Sequence, residues 1–95
     1  MATATWNGTV IAQSDDTVIV EGNHYFPRSA IASDVLEPTD HTSRCPWKGD
    51  AGYYDVVVDG ERNPNAAWTY ENPKAAAVEI TDHIAFWNGV TVADT

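Results

Sequence analysis

Gly52-Tyr53-Tyr54-Asp55-Val56-Val57-Val58, closed by Asp59-Gly60, is the strongest strand signal in the chain. Three consecutive valines suit burial on both faces and predict a central strand, which Asp-Gly then breaks. Directly upstream stands Thr42-Ser43-Arg44-Cys45-Pro46-Trp47-Lys48-Gly49. Pro46 presets a turn, and Gly49 permits a left-handed exit from it. A thiol, two cations and a Trp are thus presented on a turn that feeds the central strand. Downstream, residues 61–65 read as loop. Ala66-Ala67-Trp68-Thr69-Tyr70 then reads as a strand whose Ala66, Trp68 and Tyr70 share one face.

Further out, Asn7-Gly8 predicts a hairpin between short β-branched runs around Trp6 and Val10-Ile11. Thr17-Val18-Ile19-Val20-Glu21 is a further strand closed by Gly22-Asn23, and His24-Tyr25-Phe26 is a short one ended by Pro27. Ser29 is placed to cap a single helical turn. Val35-Leu36-Glu37 is a brief extended piece stopped by Pro38, with residues 39–43 irregular. Asn72-Pro73 is the start signal of the one clear helix, over 73–80. His83-Ile84-Ala85-Phe86-Trp87, a second Asn-Gly turn at Asn88-Gly89, and Val90-Thr91-Val92 complete the chain. Trp-Asn-Gly occurs at Trp6 and again at Trp87, either as repeated turn chemistry or because the terminal hairpins lie side by side. The expected fold is mostly β: a small single domain of two antiparallel sheets, sandwich-like, with one short helix.

Ninety-five residues at 43% hydrophobic content make one globular domain with a small core. The formal net charge is -9 with only five Lys and Arg, which argues against nucleic acid and anionic membrane as partners. A single cysteine excludes an internal disulfide and a thiol-based zinc cluster within the chain. Residues 1–5 show no signal-peptide pattern, and the apolar runs are too short for a bilayer. A soluble, cytoplasmic protein is expected.

Three motifs in order resemble the domain of unknown function 427 (DUF427) family over nearly the whole chain. They are Cys45-Pro46-Trp47-Lys48-Gly49 with Ala51 and Tyr53, Ala66-Ala67-Trp68-Thr69-Tyr70 before Pro73, and His83-Ile84-Ala85-Phe86. Val20-Glu21-Gly22-Asn23-His24-Tyr25-Phe26-Pro27 is similar to a fourth family stretch. The resemblance implies a nearly all-β, β-tent-like arrangement with one short helix. β-Tents often hold a cysteine-bound zinc, a pattern from which this chain departs, and some bind a ligand in an aromatic cage. The family is also labelled nucleotidyltransferase-like. Here no Gly-Ser turn leads into a paired-Asp metal site, and Asp55 and Asp59 are a weak Mg²⁺ signature.

The candidate site follows from the two motif strands. If they are neighbours, Trp47, Tyr53, Trp68 and Tyr70 wall a ligand pocket, with Arg44 and Lys48 as cationic anchors for an anionic group. The same rings can equally serve as core, and the same cations as surface charge. Cys45 or Lys48 are the candidate catalytic groups, since nearby cations favour a thiolate. Glu21 and Glu71 are candidate acids. His24, His41 and His83 lack ligand spacing, so no metal and no cofactor are expected. The primary expectation is a small-molecule-binding domain. An enzyme using Cys45 or Lys48 and a protein-interaction module are the alternatives, and self-association is left open.

Overall fold

The computed structural model describes residues 1–94. Its strands are β1 (Ala2–Trp6), β2 (Thr9–Ser14), β3 (Val18–Val20), β4 (Asn23–Tyr25), β5 (Leu36–Cys45), β6 (Gly49–Val58), β7 (Glu61–Thr69), β8 (Ile84–Phe86) and β9 (Thr91–Asp94). They form three antiparallel sheets, ordered β2-β1-β9, β3-β4 and β5-β6-β7-β8. The mostly-β single domain is as the sequence predicts, with a third, two-stranded sheet added to the expected two. That extra sheet exists because β3 and β4 pair only with each other. It reaches the larger sheet where Phe26 and Ile84 exchange backbone hydrogen bonds of 2.7 and 2.8 Å.

Tight turns set the register. Asn7-Gly8 and Asp59-Gly60 hold positive φ at both positions (50 and 74°, 52 and 79°), as two-residue hairpins require. The third hairpin turns on Glu21-Gly22, one residue earlier than expected, with Glu21 itself at φ 53°. Asn88-Gly89 also has positive φ at both positions, but it closes no hairpin. It passes the chain from β8 to β9, and β9 pairs with β1. The first and last strands therefore share one sheet.

The β2-β1-β9 sheet packs on the four-stranded sheet through a cluster that includes Ala2, Ala4, Ile11, Phe26, Val56, Ala67, Ile84 and Phe86. β6 is an inner strand, flanked by β5 and β7. A second cluster forms around Tyr25, Ala51, Tyr70, Ile80 and Ala85, with Cys45, Tyr53 and Trp68 packed against it.

Three local expectations are corrected. Residues 39–43 are strand rather than irregular, because β5 runs straight through Pro38. β5 is an edge strand, where the absent proline N–H breaks no second ladder. Residues 61–65 are the first half of β7 rather than loop. A register shift opposite Asp55 absorbs Asn65 at φ 52°, and the Asp55 carboxylate accepts the Asn65 backbone N–H at 2.8 Å.

The expected helix over 73–80 is instead a 3-10 segment, Ala75–Ile80, broken at Ala77. Neither Asn72 nor any other side chain caps its start. Its two ends are tied elsewhere. The Lys74 N–H donates to the Lys48 carbonyl at 2.9 Å, and the Asp82 N–H to the Tyr70 carbonyl at 2.9 Å. So short a segment gains little from α-helical hydrogen bonds, and burying Ala77 and Ile80 decides its path. Similarly, residues 28–30 form a 3-10 turn without a side-chain cap from Ser29. No helix among the described residues is long and apolar enough to cross a membrane.

Gly49 ends the Cys-Pro-Trp-Lys turn at φ 113°, where a side chain is strained. A Cβ there would also touch the backbone of Asn72, Pro73 and Lys74 at 3.5–3.6 Å. Gly49→Ala is expected to lower unfolding stability by about 1–3 kcal/mol. The readout is a lower urea midpoint at unchanged slope, and an unaltered midpoint would contradict the strained geometry.

Candidate functional site

Directly paired residues of antiparallel strands lie on one face. Tyr53 pairs with Trp68, and Trp68 with Ala85. The Trp87 ring follows one alternation later and meets Trp68 edge to face, centroids 6.4 Å apart. Tyr25, from the β3-β4 hairpin, meets the other side of Trp68 at 6.1 Å, also edge to face. The outcome is a hollow of about 190 Å³ lined by Tyr25, Lys48, Tyr53, Trp68, Tyr70 and Trp87.

The polar tips of four rings are engaged in hydrogen bonds. The Trp68 indole N–H donates to the Tyr25 hydroxyl at 3.2 Å, and Trp87 donates to the Asn65 carbonyl at 2.7 Å. The Tyr53 and Ser43 hydroxyls are 2.9 Å apart. Each bond favours one ring orientation.

Lys48 is the one charged residue in this lining, and it is only 7% exposed. Its ammonium lies 5.2 Å from the Trp47 ring centroid and 5.7 Å from that of Tyr70, within the range of cation–π attraction. It donates to the Glu21 carboxylate across the gap between the β3-β4 turn and the Cys-Pro-Trp-Lys turn. Burial alone would lower the Lys48 pKa, but the Glu21 hydrogen bond and neighbouring groups outweigh it and hold the pKa above the ordinary lysine value. The same hydrogen bond holds Glu21 below the ordinary carboxylate range. Burial raises Tyr25 and pushes Tyr70 up to about 12, so both phenols stay protonated at neutral pH.

Cys45 is half-buried at the start of the turn. Burial pushes its pKa up, yet hydrogen bonds from the Lys48 and Trp47 backbone N–H groups, with the Lys48 charge, bring it below the ordinary thiol value. The geometry is that of a small anion-stabilising turn.

The other candidate residues lie elsewhere. Trp47 is 39% exposed and covers Lys48 from outside the hollow. Arg44 is paired with Asp50 at 3.0 Å and faces a separate polar groove. That groove, about 550 Å³, is lined by Thr42, Asp50, Glu71, Lys74 and neighbours. Its cations are already engaged, since Lys74 donates to the Pro46 carbonyl at 2.6 Å. The three histidines are apart: His24 on Thr17, His41 against Tyr53, His83 beside the Thr81 carbonyl. Asp55 is bound by Arg62 at 2.7 Å, and Asp59 sits in a turn. Among the described residues, no group of three or more His, Cys, Asp and Glu is placed to hold a metal ion.

Two walls escaped the sequence reading. Tyr25 was visible only as a strand residue of the third hairpin. Trp87 could have been found by alternation, since it falls two residues beyond Ala85.

The family model described as Domain of unknown function (DUF427) matches residues 1–95, and the chain belongs to that family. No curated protein matches it.

The Cys45 environment makes a measurable statement. Its alkylation by iodoacetamide should show a pH midpoint below that of the same thiol in the urea-unfolded chain, and Lys48→Met should move that midpoint upward. A midpoint at or above the unfolded-chain value would contradict the hydrogen-bonded turn.

Proposed function

We propose that this DUF427 domain binds a small molecule in the aromatic hollow, with the rings of Tyr25, Tyr53, Trp68, Tyr70 and Trp87 as walls and Lys48 as its polar anchor. The observation that carries the reading is the combination in one concavity of several hydrogen-bonded rings and a single buried ammonium. Ligand sites have this composition: mostly apolar and aromatic lining with few, placed polar groups. The volume of about 190 Å³ is below the roughly 300–1,000 Å³ of sites for drug-sized molecules. The ligand is therefore of single-ring size. Arg44 is left out of the anchor set, because it faces the other groove and is paired with Asp50.

A second reading rests on the placement of Cys45, half-buried on the turn that carries Lys48 and packed against the cluster that backs the rings. In it the thiolate acts as a nucleophile toward a molecule held by the rings. A reducing, cytoplasmic setting fits a half-buried free thiol in this position.

The primary reading is tested by calorimetric titration with indole, benzamide and benzoate. Trp68→Ala should weaken whichever of these binds by about tenfold or more, since a stacked ring is worth about 1–3 kcal/mol. Tyr53→Ala, at a half-buried ring, provides a second variant should Trp68→Ala lose its fold. Binding unaffected in a folded variant would place the ligand elsewhere.

A further inference from the structure

Beside the aromatic hollow lies a contact with the character of a place-holder: Lys48 lines the hollow, and its partner Glu21 does not. A buried ammonium requires an anion, because an unpaired buried charge is costly. Lys48 obtains one from Glu21, a residue of a different hairpin. The two ends of this pair are unlike. The Lys48 side chain is 9% exposed, while that of Glu21 is 53% exposed at the tip of a two-residue turn. Glu21 can return to water by rotating its own side chain. Lys48 cannot leave without dismantling its contacts with Trp47 and Tyr70.

Resting on the reading that the hollow binds a ligand, we infer that the ligand carries a single carboxylate and that it binds by exchange, replacing Glu21 as the anion paired with Lys48 from the hollow side. The ligand class is a small aromatic monocarboxylate.

Three features select that class. Lys48 is the one charged group in the lining, so the complementary ligand charge is negative and single. A phosphate monoester would bring about -1.5 to -2, leaving excess negative charge in a protein of net charge -9. A ligand cation would face the Lys48 ammonium, which already lies against the Tyr70 face. The remaining lining is rings, which accept a planar ring by stacking or edge contact.

Glu21 then acts as an internal competitor. Apparent affinity is reduced by the fraction of molecules in which the anchor is accessible. Were Glu21 engaged in about nine molecules of ten, its removal would raise affinity about tenfold.

The test is calorimetric titration of the full chain with benzoate, benzamide and benzylamine. Wild type should bind benzoate more tightly than benzamide. Glu21→Gln, at an exposed position, should raise benzoate affinity about tenfold and leave benzamide unchanged. Lys48→Met should erase the preference for benzoate. Benzoate affinity unchanged or lowered in Glu21→Gln overturns the exchange, as does tightest binding of benzylamine. If benzamide and benzoate bind equally, with both weakened by Trp68→Ala, the hollow stands as a binding site and the carboxylate inference falls. If neither ring compound binds wild type or Glu21→Gln, both fall together.

Discussion

A lysine ammonium withdrawn from water between two aromatic rings sets the terms for this molecule. Lys48 keeps its charge in that position because Glu21 answers it. The pair ties the β3-β4 turn to the turn before β6, in addition to the Phe26–Ile84 backbone hydrogen bonds that join this hairpin to the larger sheet. The Phe26–Ile84 backbone bonds hold the small hairpin over the four-stranded sheet, Tyr25 rests against Trp68, and the ion pair closes the gap at the turn end. Were the lysine side chain turned outward, the hollow would lose its polar anchor and the hairpin one of its ties.

The turn that carries Lys48 serves several structures at once. Its backbone carbonyl receives the Lys74 N–H, the Pro46 carbonyl receives the Lys74 ammonium, and its N–H groups face the Cys45 sulfur. Gly49 lets the 72–74 segment pass within van der Waals contact of the turn. The 3-10 segment that follows is therefore placed by the turn, and Ile80 is delivered to the same cluster that backs the rings. One side of the sheet thus supports a hollow, while the other, through Val56, Ala67, Ile84 and Phe86, packs on the sheet that holds the first and last strands.

Much of this was legible in residue order. The Asn-Gly and Asp-Gly turns declared themselves, because positive φ at two successive positions admits few residues. The inner position of β6 followed from its valines, and period-two alternation put Tyr53 and Trp68 within reach of one another once their strands paired. Where expectation failed, a local signal met a tertiary requirement. Pro38 read as a strand breaker and residues 61–65 as loop, yet β5 is an edge and β7 carries an irregularity beside Asp55. Asn72-Pro73 read as a helix start, but the Lys74 N–H was already engaged by the Lys48 carbonyl. Asn88-Gly89 had the chemistry of a hairpin and was used to change sheets. The pairing of Lys48 with Glu21 had no local signature at all. It depends on how two hairpins meet, and nothing in either segment specifies the other.

The most direct test of that interaction is nuclear magnetic resonance of the Lys48 side chain in wild-type protein. An ammonium held between rings and a carboxylate should give a slowly exchanging Nζ resonance, ε-methylene protons shifted upfield by the Trp47 and Tyr70 ring currents, and cross-relaxation to both rings. Its titration midpoint should lie above the ordinary lysine value of about 10.4. A fast-exchanging Lys48 ammonium with random-coil ε-proton shifts and an ordinary midpoint would show the side chain to be in water, and would contradict the account of both hairpin and hollow.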